Sequence, residues 1–251
     1  MAARFVLLFL LVDDADVSEL PSLIDDSTEL WRIGPHTALL RRWLDELPEL
    51  ATCREPLRAR FERSFHDYLQ ARAKEEGQKG TALTLDAHWE FRRHTIFTEP
   101  FLDQWIVSLG LDRDGAAEAN LREARQLATD IVLLSNDLGS AARDTQQGEA
   151  PDDLNLIDTY ARVRGWTREQ TIEELIQQER EMVERYRALT SSEGKTDSFV
   201  SYVELLTALV DGNLASIYAL DFRYRGVHHI LDRLSMAEPN ALRPASVATR
   251  D

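Results

Sequence analysis

From Ala116 to Thr145 the chain runs without a proline, and its apolar residues recur at helical spacing. A segment of that length and periodicity demands a long helix, and a long helix needs neighbours to cover it. The rest of the sequence supplies them. Proline and glycine are sparse, at 8 and 11 residues in 251, so there are few breaks. No strand-like alternation and no repeat of solenoid period occurs. These features predict an all-α fold, with helical patterns over 5–20, 37–46, 55–76, 84–97, 101–109, 116–145, 154–163, 167–189 and 198–230. In the pattern over 55–76, Leu57, Phe61, Phe65 and Tyr68 form one apolar stripe. Residues 1–237 read as a single domain, and 238–251, with Pro239 and Pro244, as a disordered tail.

Inside the long run lies Asn136-Asp137-Leu138-Gly139-Ser140-Ala141-Ala142-Arg143-Asp144. Asn136, Ser140 and Asp144 are spaced i, i+4, i+8, which puts them on one helix face over two turns. The plain reading is a polar stripe on a solvent-facing helix. The sharper one is an all-oxygen ligand set suited to a hard cation such as Mg²⁺. The choice depends on what else the chain carries.

Three other patches bear on it. Arg4 and the apolar run Phe5–Val12 end directly in Asp13-Asp14-Ala15-Asp16. No small-residue cleavage site follows, as a secretory signal would require, and the run is too short to span a bilayer. A buried helix ending in carboxylates fits better. Adjacent anions at a helix C-terminus are unfavourable, and a divalent cation would relieve the repulsion. Arg92-Arg93-His94-Thr95 sits on an otherwise apolar, aromatic helix. Paired guanidiniums grip phosphate oxygens, although pairing with Glu90 or Glu99 is the simpler use. Asp221-Phe222-Arg223-Tyr224-Arg225 follows Gly212-Asn213 and offers a cation and a phenol.

The formal charge of -15 argues against nucleic acid and against anionic membrane surfaces, both of which need a basic patch. It does not exclude an anionic substrate, since local arginines and metal dominate at short range. The lone Cys53 forms no internal disulfide, which points to a reducing, cytoplasmic location.

Taken in order, these motifs resemble those of class I terpene synthases (terpene cyclases) of the bacterial and fungal type. The resemblance covers Phe5 to Arg225, and the Asn136–Asp144 motif is its most specific part. It implies an all-α class I terpenoid synthase-like helical bundle with a central cavity. It further implies loss of diphosphate from an isoprenyl diphosphate, most naturally farnesyl diphosphate, and cyclisation of the cation to a sesquiterpene. Three Mg²⁺ ions are implied, with Mn²⁺ as a substitute. Asp13, supported by Asp14, would bridge two of them, and Asn136, Ser140 and Asp144 would hold the third. Arg92 would be the diphosphate sensor, Arg143 a further diphosphate contact, and Arg223 and Tyr224 diphosphate donors. Phe9 and Phe91 are candidates to face the carbocation. The family commonly forms an antiparallel homodimer.

The sequence departs from the family pattern in places. The first motif reads D-D-x-D, with Val17 four positions after Asp13. Phe97 stands where a glycine is usual, and Leu214, Ala215 and Ser216 stand where an aromatic usually follows Gly-Asn. Family members carry several helices before the Asp-rich one, which here starts at Phe5, so an N-terminally shortened bundle is expected. Two other readings follow. One is a non-catalytic helical protein derived from the same fold. The other, a chain-elongating prenyl transferase, fits poorly, because those enzymes carry two Asp-rich motifs and Asn136–Asp144 is not one.

Overall fold

The long run forms a helix whose middle, from Ala128 to Gly139, is buried on nearly every side. The computed structural model describes residues 55–78, 82–109, 111, 119–147, 155–191, 195–219, 228–237 and 242. In chain order these form α1 (Glu55–Gln78), α2 (Leu85–Thr95), α3 (Thr98–Leu109), α4 (Ala119–Gln147), α5 (Leu156–Arg164), α6 (Arg168–Leu189), α7 (Asp197–Ala219), α8 (His228–Leu231) and a 3₁₀ turn at Ser235–Ala237. No strand occurs among the described residues. None of the described helices is long and apolar enough to cross a membrane.

The chain divides into two compact units. One comprises Met1–Lys79 and His94–Gly110, the other Gly80–Arg93 and Leu111–Asp251. In the first, α1 packs on α3. Phe61, Phe65 and Tyr68, spaced i, i+4, i+7, are each at most 2% exposed. Phe61 stacks on Phe65, and Phe65 and Tyr68 meet Phe97 edge-on, at 5.7 and 4.8 Å between ring centroids. Edge-to-face geometry puts the positive ring edge against the negative face. The aromatic at 97 is therefore a core residue of this unit. Arg60 Nε meets the buried Asp103 carboxylate at 2.8 Å. α3 begins at Thr98, earlier than the proline suggested, because Pro100 falls in the first turn, where a missing N–H costs nothing.

In the second unit α4 lies against α5, α6 and α7. Leu121, Ala124, Ala128, Ile131, Leu133, Leu134 and Leu138 are fully buried. Asn155 caps the start of α5, its side chain accepting from the Ile157 N–H. Gly165 ends that helix at φ 68°, a left-handed conformation that glycine adopts freely. Thr167 and Gln170 form a reciprocal capping box at the start of α6. α7 ends at Ala219 within the described residues, and helix continuity through 220–227 lies outside them.

Candidate functional site

Polar side chains on a buried helix cost free energy unless they are hydrogen-bonded. α4 carries several. Asp130, Ser135 and Asp137 are 5%, 0% and 1% exposed, and each has a partner. These three lie beside the row of Asn136 and Ser140, which are themselves half-buried.

α2 supplies the two arginines. Arg92 Nη2 donates to Asp137 Oδ1 at 2.5 Å. Arg93 donates through Nε and Nη2 to the two oxygens of Asp130, at 2.7 and 3.0 Å. It also reaches Glu90 at 3.4 Å and lies 5.8 Å from the Trp89 ring centre. The bond to Asp130 raises the Arg93 pKa, while burial raises that of Asp130 against the opposing pull of Arg93. Of the partners expected from sequence, Glu90 is found on Arg93. Asp130 and Asp137, each tens of residues away in the chain, were not foreseeable from local spacing. They are seven residues apart, about 10 Å along α4.

The same face of α2 grips α5. His88 Nδ1 lies 3.0 Å from Thr159 Oγ1, and Trp89 Nε1 donates to Tyr160 Oη at 2.9 Å. Tyr160 in turn donates to Gln178 of α6 at 3.0 Å. His88 is fully buried, and its pKa is lowered to about 4, first by burial and then by the Arg92 and Arg162 charges.

Asp137 is the hub of this region. Its second oxygen, Oδ2, accepts the Leu156 N–H at 2.9 Å, at the start of α5. Its backbone carbonyl accepts Asn155 Nδ2 at 3.0 Å and the Ser140 hydroxyl at 3.3 Å. Asn155 Nδ2 also donates to Ser140 Oγ at 3.2 Å. On α7, Asn213 Nδ2 donates to Ser135 Oγ at 2.9 Å, next to Asn136 in sequence. Gly212 beside it has open space where a Cβ would stand. Leu214 is buried, and Ala215 and Ser216 are exposed.

The expected site residues are thus placed as follows. Asn136 and Ser140 are half-buried on successive turns of α4. Asn136 makes no side-chain hydrogen bond to another described residue. For Arg143 and Asp144 the structure describes the helical backbone alone; Asp144 continues the row one turn beyond Ser140. Asp13, Asp14, Arg223, Tyr224 and Phe9 lie outside the described residues. Phe91 is half-buried on α2. Among the described residues no group of three or more His, Cys, Asp or Glu side chains could hold a metal ion. The donors present are an amide oxygen and a hydroxyl oxygen, both hard, and they suit a cation that accepts oxygen ligands. A shallow hollow of about 370 Å³ beside Trp166 and Gln170 is lined by none of these groups.

Comparison with known proteins bears on this arrangement. Residues 20–185 match the sequence model of terpene synthase family 2, C-terminal metal binding. A comparison with curated protein sequences returned no match. Among solved structures, a-eudesmol synthase superposes with a TM-score of 0.68 at 22% identity, covering 86% of this chain and 77% of that one. The linalool/nerolidol synthase of Streptomyces clavuligerus, in complex with 2-fluorogeranyl diphosphate, gives 0.67 at 19% identity, covering 85% and 78%. A structure titled hedycaryol apo gives 0.66 at 16%, covering 85% and 76%.

Proposed function

We propose, from the premise that the chain belongs to the class I terpene synthase family, that it ionises an isoprenyl diphosphate in a Mg²⁺-dependent reaction and cyclises the resulting cation. Farnesyl diphosphate is the proposed substrate and a sesquiterpene the proposed product. The similar folds named for eudesmol and hedycaryol support that chain length. The observation that carries the reading is the unbroken course of α4 through Asn136, Ser140 and Asp144. It gives the oxygen donors the one-turn spacing a shared cation needs.

Each group then has a role. Asn136, Ser140 and Asp144 hold one metal ion, and Asp13 with Asp14 hold the others. Divalent metal, when bound, supplies the positive charge that stabilises departing diphosphate. Arg92, Arg143, Arg223 and Tyr224 donate to the diphosphate oxygens and fix its orientation. Arg92 is well suited to sensing, because the Asp137 carboxylate already fixes its guanidinium through Nη2. Aromatic side chains such as Phe9 and Phe91 present negative ring faces to a carbocation. Exclusion of water prevents early quenching of the cation.

The test is direct. Purified protein is incubated with geranyl, farnesyl and geranylgeranyl diphosphates and Mg²⁺, and volatiles and released diphosphate are measured. A Mg²⁺-dependent hydrocarbon or alcohol, greatest with farnesyl diphosphate, is expected. Asn136→Ala or Ser140→Ala should abolish turnover with a stability loss of about 1 kcal/mol or less, since both sites are half-buried. A folded protein that releases no diphosphate from any of the three would instead support a non-catalytic descendant of the fold.

A further inference from the structure

The residue that the motif does not contain but the structure places at its centre is Asn155. It is 3% exposed and precedes the first turn of α5. Its Oδ1 accepts the Ile157 N–H at 2.9 Å. A backbone N–H can only donate, so this bond fixes which end of the amide is oxygen. The Nδ2 end must then face α4. There its two hydrogens go to the Asp137 carbonyl at 3.0 Å and to Ser140 Oγ at 3.2 Å.

That second bond constrains the Ser140 hydroxyl. A hydroxyl has one proton and two lone pairs. With Asn155 occupying one lone pair, the Ser140 proton goes to the Asp137 carbonyl, 3.3 Å away. One lone pair is left over. A serine that ligates a cation must present a lone pair and turn its proton aside, and this arrangement does both before any cation arrives. Without the Asn155 donor the hydroxyl could rotate its proton into the ligand direction.

We propose that Asn155 is a positioning residue for the second metal motif: its amide orients the Ser140 hydroxyl so that an oxygen lone pair is held ready for a divalent cation. The inference rests on the reading of Asn136, Ser140 and Asp144 as metal ligands. Asn155 also caps α5, so the test must separate the cap from the donor. Asn155→Ser does so, because serine caps a helix about as well as asparagine but is too short to reach Ser140 and has no amide. Asn155→Thr is a second variant with the same logic.

The measurement is Mn²⁺ affinity of the full chain in the presence of inorganic diphosphate, followed by electron paramagnetic resonance, beside thermal unfolding without metal. Loss of an outer partner of a metal ligand weakens metal binding by about 10–100-fold. Asn155→Ser and Asn155→Thr should show that loss with an unfolding midpoint close to the parent protein. In a Ser140→Ala background neither should weaken Mn²⁺ binding further. Thr167→Ala, which breaks the cap of α6 instead, should lower the midpoint and leave Mn²⁺ affinity unchanged. If the parent protein takes up no Mn²⁺, the metal reading fails and this inference falls with it. If the parent binds Mn²⁺ and both Asn155 variants bind it equally well, the positioning role alone is overturned. Further weakening by Asn155→Ser in the Ser140→Ala background would also overturn it, because the effect would then not pass through the hydroxyl.

Discussion

α1 and α4 are both long helices, and they are buried by opposite means. α1 buries one stripe, Phe61, Phe65 and Tyr68, in an apolar aromatic cluster with Phe97. α4 is enclosed nearly all round over Ala128–Gly139, and its buried surface there includes Asp130, Ser135 and Asp137, whose cost is offset by Arg93, Asn213 and Arg92. Apolar contacts are non-directional and tolerate changes of shape within limits. Charge-assisted hydrogen bonds are directional and fail when one partner is lost. A helix meant only to hold a fold together can rely on the first kind. A helix that must present particular oxygens at particular places needs the second.

Truncation should affect both regions heavily. Asp137→Ala removes the acceptor for Arg92 and for the Leu156 N–H and should cost about 3–5 kcal/mol. Phe65→Ala should cost a similar amount, about 3–5 kcal/mol, through a cavity. Urea unfolding followed by circular dichroism measures both. A loss below about 1 kcal/mol for Asp137→Ala would show that the polar contacts of α4 add little.

Acid should expose the difference next. His88 has a folded-state pKa of about 4, below the 6.5 of an unfolded histidine. The unfolded chain therefore binds the proton more readily. The stability this group contributes is complete above pH 6.5 and is lost as pH falls from 6.5 towards 4, on the order of 3 kcal/mol in all. Urea midpoints across that range should fall for the parent protein and stay flatter for His88→Gln. Equal slopes would show that His88 does not carry the effect.

The smallest effects are the most discriminating. Milder changes should separate the two helices: Asp137→Asn about 2 kcal/mol, because a charged acceptor is lost, against Phe65→Leu about 1 kcal/mol, because the replacement stays apolar. If the asparagine change proves the milder, the contrast between the regions is wrong.

How far the sequence revealed this follows the same division. The stripe of α1 is periodic, and periodicity alone marked Phe61, Phe65 and Tyr68 as core. α4 was legible as a helix, and its family-like motif placed Asn136, Ser140 and Asp144 in one row. Its burial was not legible, since polar residues on a helix normally mean solvent. The partners that make burial tolerable are distant in the chain: Arg92 is 45 residues from Asp137, and Asn155 is 15 from Ser140. Asn155 had a local signal, an asparagine ahead of an apolar run. Starting the helix at Leu154 instead of Leu156 put that residue inside the helix and hid its capping role.

The paired arginines of α2 have a mechanical consequence. Arg92 and Arg93 leave adjacent positions and reach acids two turns apart on α4. Two diverging tethers from one point fix both the axial setting and the roll of a helix. Sliding α2 by one turn would bring neither guanidinium to a new acid, because Asp130 and Asp137 are separated by two turns and no acidic residue lies between them in α4. A one-turn slip of α2 along α4 therefore leaves both arginines without an acid. The Arg93–Asp130 pair, with two hydrogen bonds to one carboxylate, pins α2 against roll as well as against sliding.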